Sequence, residues 1–188
     1  MEQFKRKLEA IIDFDVKEIN NNLNEDHIKS LERKYKIKFP LYYSFYLQHY
    51  GNDYIKEDYR FIPSEDLSKV IKLEEIEIDS FYGIYNDENN IDNKIMFYKT
   101  LLSSDLIPIA DLPGGDLICI GVKNEIQNKI YIWFHEMNGE NIYLISPSFE
   151  SFILNFKRIR TEKSNLANVK LDMSNKLNAL LNNLSKKD

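Results

Sequence analysis

The stretch LIPIADLPGGDLICIGVKNEIQNKIYIWFHEMNGENIYLIS, residues 106–146, decides the fold. It holds four apolar runs separated by turn signals. LIPIAD leads into Pro113-Gly114-Gly115, where the glycines can supply the positive φ that a turn needs. DLICIGV is a dense apolar run that reads as a central strand. NKIYIWFHE and ENIYLIS flank Asn138-Gly139, the strongest short-range hairpin signal. Strands that follow one another through turns pair antiparallel, because a parallel pair needs a long crossover.

Outward from this stretch the periods change. On the C-terminal side, Ser148 can cap a helix in which Phe149, Phe152, Ile153 and Phe156 line one face. On the N-terminal side, Ile91, Ile95, Tyr98 and Leu102 fall in helical register over 91–102. Residues 59–85 carry short β-like pieces: YRFI, KVIKL and SFYGIY. Before them, KIKFPLYYSFYLQHYG (36–51) takes a short extended step at Ile37 and Phe39, then starts a helix at Pro40, a favoured first residue. Tyr43, Tyr46, Leu47 and Tyr50 form its stripe, and Gly51 is a natural stop. This aromatic stripe fits core better than a base-stacking platform, because no lysine or arginine lies between Phe39 and Gly51. Residues 25–36 form a helix with Ile28, Leu31 and Tyr35 on one face, capped by Asn24 and opened by Glu25 and Asp26. Residues 3–14 form another, with Phe4, Leu8, Ile11 and Ile12, and 17–24 read as a linker. Helices first and hairpin-linked strands later predict an α+β domain: a mostly antiparallel central sheet flanked by helices. A C-terminal amphipathic helix is expected over 161–184, where Leu166, Val169, Met173, Leu177, Leu180 and Leu184 recur at steps of three and four.

Composition bounds the function. The 188 residues are 43% hydrophobic and 29% charged, the balance of a soluble globular protein. No apolar run approaches the ~20 residues that span a bilayer, and the N-terminus lacks the apolar core of a secretory signal. The single cysteine, Cys119, excludes an internal disulfide and fits a reducing compartment, so a cytoplasmic location is expected. The net charge of −5 is unevenly spread. Residues 157–188 carry eight basic and three acidic side chains, whereas 53–92 carry twelve acids and four bases, or −8. An acidic body speaks against nucleic acid as a direct ligand and suits a basic protein partner.

Catalytic constellations do not emerge. His135-Glu136 resembles the start of a zinc helix motif, but Gly139 stands where the second histidine belongs, and the pair sits in a hairpin. His27 and His49 are far away in sequence, and no metal-ligand spacing is present. Cys119 alternates within a buried strand with no base near it in sequence, which suits a core residue. Gly114-Gly115-Asp116 precedes a strand and lacks phosphate-loop spacing. Glu65-Asp66 and Glu74-Glu75 lie in polar runs without the apolar surround that separates the pKa values of an acid–base pair. Neither a cofactor nor a metal is expected, and the reading is of a non-enzyme.

Four stretches, IKSLERKYKIKFPLYYSFYLQHYGN, DLIPIADLPGGDLICIGV, NKIYIWFHE and SPSFESFI, in this order and spacing resemble the SUKH superfamily. That superfamily includes fungal cell-wall-assembly regulators and many bacterial immunity proteins. Leu31, Glu32 and Tyr35 match its first helix, and Phe39-Pro40 stands where leucine-proline is usual. Ile107, Pro108, Ile109 and Ala110 match its "LPIA" strand, and Gly115-Asp116 the glycine-aspartate that follows. Trp133, His135 and Glu136 match its aromatic-rich strand, and Ser148, Phe149 and Phe152 its "SFEEF" helix. Tyr50-Gly51 departs from the usual asparagine-glycine, and Phe134 stands where an aspartate often separates tryptophan and histidine.

The resemblance implies an α+β fold and function by binding rather than catalysis, since bacterial members typically neutralise one cognate toxin. The expected organisation is an N-terminal helix and linker over 1–24, a SUKH-like domain over 25–159, and a basic amphipathic helix or tail over 160–188. The expected partner is a cognate, basic polymorphic toxin, with a nuclease as one candidate. The alternative is an intracellular regulatory or scaffold module that uses the C-terminal helix. The acidic segment is the expected docking surface: Asp53, Tyr54, Glu57, Asp58, Tyr59, Glu65, Asp66, Glu74, Glu75, Glu77, Asp79, Asp87 and Glu88. Tyrosines would supply contact area there, and carboxylates would steer association.

Overall fold

In the computed structural model, residues 1–13, 25–51, 54–84 and 88–159 are described. Internal contacts divide the chain into Met1–Lys157, which holds the helices and the main sheet, and Arg158–Asp188. The expected linker over 17–24, the Asn24 cap and the helix over 161–184 lie outside the described residues. Among the described residues no helix is long and apolar enough to cross a membrane.

Three helices come first: α1 (Glu2–Ile11), α2 (Glu25–Tyr35) and α3 (Leu41–His49). A short strand β1 (Tyr59–Phe61) and helices α4 (Glu65–Ile71) and α5 (Ile91–Tyr98) follow. Then come β2 (Leu106–Asp111), β3 (Leu117–Gly121), β4 (Ile130–Trp133), β5 (Ile142–Ser146), α6 (Phe149–Leu154) and β6 (Phe156–Arg158). β2-β3-β4-β5 form one antiparallel sheet in sequence order, and β1 pairs with β6 in a second, two-stranded sheet. This is the α+β architecture that the stretch 106–146 predicts.

The sheet's two faces follow from its register. Leu117 pairs with Trp133 and Cys119 with Tyr131, so these four share one face. Ile118 pairs with Ile132 and Ile120 with Ile130 on the other, and all four are fully buried. That isoleucine face lies in one cluster with Phe4, Leu8 and Ile11 of α1, Tyr43, Tyr46 and Leu47 of α3, and Phe149, Phe152 and Ile153 of α6. Phe149 is the hub: its ring lies 5.1 Å from Tyr43, 5.9 Å from Tyr46 and 6.0 Å from Phe4, in tilted or edge-on contacts that aromatic rings prefer. α6 starts where Ser148 Oγ accepts from Ser151 N at 3.0 Å, as its N-cap position demands.

One glycine is required by its backbone conformation and another by space. Gly115 has φ +95°, and a Cβ there would lie 3.3 Å from His135 Cε1. At Gly121 a Cβ would come within 1.9 Å of the Ile126 carbonyl oxygen, because the 3-10 turn Asn124–Ile126 folds back against the strand.

Three expected elements change. KVIKL is not a strand: residues 69–71 belong to α4, and Lys72 ends it in the left-handed region at φ 57°. Local capping overrides the β-branched residues, because Ser64 Oγ accepts from Leu67 N at 3.3 Å and starts a helix. Leu67 and Ile71, one turn apart, then pack on the core. Among its described residues SFYGIY contributes isolated bridges: Tyr54 with Ser80, Phe81 with Ala110 and, in parallel, Gly83 with Asn90. The hairpin signalled at Asn138-Gly139 forms, since β4 pairs antiparallel with β5, but its loop is longer than the flanking runs imply: β4 ends at Trp133 and β5 begins at Ile142. The ladder runs on through Phe134, whose N donates to the Asn141 carbonyl at 2.9 Å, and Asp116 Oδ1 accepts from His135 N at 3.0 Å at the start of the loop.

Candidate functional site

The acidic segment is organised by an irregular ladder. Tyr54 bridges Ser80, Phe61 bridges Ile76, and Ile55 N donates to the Asp79 carbonyl at 2.7 Å. On the other side Asp13 N donates to Tyr54 O and Lys56 N to Ile11 O, both at 2.9 Å, so 54–56 runs between the exit of α1 and the 76–80 segment. The alternation of an extended chain then sorts side chains by face. Ile55, Ile76 and Ile78 turn inward and are buried, while Glu75, Glu77 and Asp79 turn out and are exposed. The pattern EIEID over 75–79 is a strict two-residue period. It is the signal that the reading of 74–75 as a polar run passed over.

The ladder gathers many of the expected residues. Tyr54 is 41% exposed. Glu57 and Asp58 form the turn before β1; Glu57 is exposed and Asp58 half-buried. Glu74 is exposed beside Glu75 at the Ile76 end. Glu88 is exposed, and Asn89 beside it donates to Ser80 Oγ at 3.1 Å, which ties that turn to the Tyr54 end. Asp66 is exposed on α4, of which Glu65 is the first residue. Asp53 and Asp87 lie outside the described residues. Tyr59 is corrected from an exposed anchor to a half-buried one: it packs against the core, with Lys7 Nζ 5.6 Å from its ring centre. Its place at the start of β1 turns the ring against α1.

The cations of this surface are turned inward. Arg60, with a side chain only 13% exposed, donates to Glu77 at 2.7 Å and to the Glu57 carbonyl at 2.8 Å. Lys56 Nζ donates to the Ala10 carbonyl at 2.8 Å. Residues 54–61 and 74–80 hold six acids and two bases, so the ladder carries a net −4.

A second polar cluster closes one end of the sheet. Besides the backbone bond, Asp116 Oδ1 lies 2.9 Å from His135 Nδ1, and His135 Nε2 lies 3.6 Å from Glu136. Asp111, at the end of β2, accepts from Tyr82 and from Lys94 Nζ at 2.8 Å, and Lys94 stands 4.6 Å over the Tyr82 ring. Burial and the Asp111 hydrogen bond raise the Tyr82 pKa, so the phenol stays a donor. These contacts pin turns to strands. Cys119 is fully buried and its thiol pKa is raised by that burial, the opposite of an activated thiolate. Among the described residues no group of three His, Cys, Asp or Glu is placed to hold a metal.

An apolar groove of about 240 Å³ runs between the end of α2, α5 and the start of β2. Its α2–α5 edge is clasped by Lys34 Nζ, 2.7 Å from both Asp92 oxygens, and by the Tyr35 hydroxyl on Asp92. Burial alone would raise the Asp92 pKa; the bonds from Lys34 and Tyr35 outweigh it and bring it below its ordinary value.

An α+β protein with a four-stranded antiparallel sheet under a helical layer, this chain belongs to the SMI1 / KNR4 family (SUKH-1), whose model matches residues 22–155. It is 31% identical over 144 residues to the SPbeta prophage-derived uncharacterized protein YokK of Bacillus subtilis (strain 168), which covers 70% of this chain and 73% of that protein.

Proposed function

We propose that this protein is an immunity protein that binds a cognate, basic toxin and blocks it, without chemistry of its own. The reading rests above all on the acidic ladder: carboxylates from two chain segments share one surface, while Arg60 and Lys56 are folded back onto the body. Membership of the SUKH-1 family and a prophage-derived relative support it. A nuclease domain is the fitting class of toxin, since proteins that bind nucleic acid carry the basic surface this ladder complements. Tyr54 supplies aromatic contact area within the ladder, and the carboxylates supply steering.

The test is co-purification with the product of the neighbouring gene, followed by charge reversal. Changing Glu57, Asp58, Glu74 and Glu75 to lysine should slow association with the toxin by about tenfold or more at low salt, and added salt should shrink the difference. The melting temperature should change little, as Glu57, Glu74 and Glu75 are exposed and Asp58 lies in the turn before β1. Unimpaired binding and protection by this variant at low ionic strength would rule out the ladder as the docking surface. A fitness loss on deletion in single culture, without any toxin, would favour the regulatory module instead.

A further inference from the structure

The groove between α2, α5 and β2 differs in charge from the acidic body around it. Its walls are apolar: Ile37, Ile95, Leu102, Leu106 and Ile107 line it, and no carboxylate does. The stretches 33–41 and 93–104, which supply most of its walls, hold six cations and no acid in a chain of net charge −5. Acids beside these stretches are already matched. Asp92 is held by Lys34 and Tyr35, and Asp105 faces Lys123 Nζ at 3.5 Å. Lys99 is different. It lines the groove, is exposed, and makes no ion pair or hydrogen bond among the described residues. Ser103 and Ser104 line the groove from the same turn after α5, and Lys123 Nζ donates to the Ser104 carbonyl at 3.0 Å, so a second cation stands there. The polar lining is thus gathered in one turn, beside a recess that is otherwise apolar or aromatic.

We propose that this groove binds a small anionic amphiphile: an unbranched apolar chain that ends in a carboxylate. The chain lies along Ile37, Ile95 and Ile107, and the carboxylate meets Lys99. Each part of the ligand answers a part of the site. Apolar walls take a chain out of water, so affinity rises with its length. An unmatched lysine beside a recess without carboxylates selects a negative head and rejects a cationic one. At about 240 Å³ the groove is smaller than the ~300–1,000 Å³ of sites for drug-sized molecules, so it suits one chain rather than a ring system. A basic toxin would be repelled from it, and the acidic ladder lies on other elements, so the two sites are separate. Lys99 is also the C-cap of α5, where a cation offsets the negative end of a helix. That role by itself would affect stability and not the choice between an anionic and a neutral ligand.

Titration of the isotope-labelled full chain with decanoate at neutral pH, below its micelle concentration and followed by nuclear magnetic resonance, tests this. Saturable one-to-one binding is expected, with the largest amide shifts within 35–37 and 95–108. Decanol, with the same chain and no charge, should bind about fivefold or more weakly, and acetate, the head without the chain, should not bind. Lys99→Glu should remove the preference for decanoate over decanol and leave the far-UV circular dichroism unchanged, since the side chain is exposed. Added salt should shrink the preference of the parent. Decanoate shifts that do not saturate, or that centre outside the groove, overturn the inference. Equal affinity for decanoate and decanol overturns it, as does a Lys99→Glu variant that keeps the parent's preference. So does binding to vesicles of phosphatidylglycerol and phosphatidylcholine without binding to monomeric decanoate, which would make this face a membrane contact. No toxin enters the experiment, so its failure leaves the proposed function standing, and the converse holds too.

Discussion

On one face of the four-stranded sheet, Ile118, Ile120, Ile130 and Ile132 are fully buried in a cluster that takes in α1, α3 and α6. On the other face, Leu117, Cys119 and Trp133 join only Leu102 and Leu106 in a small satellite, with Tyr98, Tyr131, Ile126 and Ile142 partly buried at its margin. Leu144, on the same face at the β5 edge, is 48% exposed. The same strands thus carry a thick aromatic core on one side and a thin cover on the other. Stability is concentrated where aromatic rings from five separate segments meet, carried by Phe4, Tyr46, Phe61, Phe81 and Phe149. The thin side, held by α5 and its turn, leaves apolar surface and a groove in the open.

Truncation on the two faces should show the largest difference. Phe152, fully buried beside Phe61 at 4.7 Å and Phe156 at 5.5 Å, should cost about 3–5 kcal/mol as Phe152→Ala. Leu102, 7% exposed at the edge of the satellite, should cost about 2 kcal/mol as Leu102→Ala. Equilibrium unfolding in urea gives both values; a Leu102 loss as large as that of Phe152 would mean that the two faces are equally stabilising.

A smaller effect, of opposite sign, is expected inside the thick core. The Tyr43 hydroxyl is buried with no hydrogen-bond partner among the described residues, and burial raises its pKa. A buried hydroxyl without a partner is unfavourable, so Tyr43→Phe should stabilise the fold by about 1 kcal/mol. A loss of stability on the same measurement would show that the hydroxyl is hydrogen-bonded after all.

The smallest effect concerns the clasp that holds α5 to α2. Because the Asp92 pKa is lowered in the folded state, its stabilisation is present above the ordinary carboxylate value of 3.8 and is lost as pH falls through the folded value. The pair with Lys34 is partly exposed, which weakens it further. Asp92→Asn should therefore lower the melting temperature slightly at neutral pH, by less than the Tyr43 change, and the two curves should converge in strong acid. A difference that persists at low pH would assign the effect to packing rather than to the carboxylate.

Much of the fold was legible along the chain because its signals are local. Turn glycines, strand-length apolar runs and the Ser148 cap each act over a few residues, and they place four strands and the start of α6, which ends at Leu154 so that Phe156, expected on its face, opens β6 instead. The stripe Tyr43, Tyr46, Leu47, Tyr50 was read as core for the same reason, and all four are buried. KVIKL has a strand composition in Val and Ile, while the contact that decides its helix, the Ser64 cap, lies several residues earlier. The hairpin at Asn138-Gly139 forms as its local signal predicts, but with a longer loop, whose start is bonded to Asp116, nineteen residues before His135.

For the proposed surfaces the division is sharper. The sequence by itself determined the charge of the 53–92 segment and the absence of any metal-ligand spacing, since both are counts along one chain. Only the tertiary structure decided which carboxylates share a surface. The bridges of 54–61 to 76–80 bring Glu57 and Glu77 onto one ladder, and the Arg60 bond withdraws part of that charge. Only the tertiary structure, too, turned Met96, Phe97 and Leu101 outward. Periodicity shows that a helix has an apolar face, but packing partners from distant segments decide which face is covered.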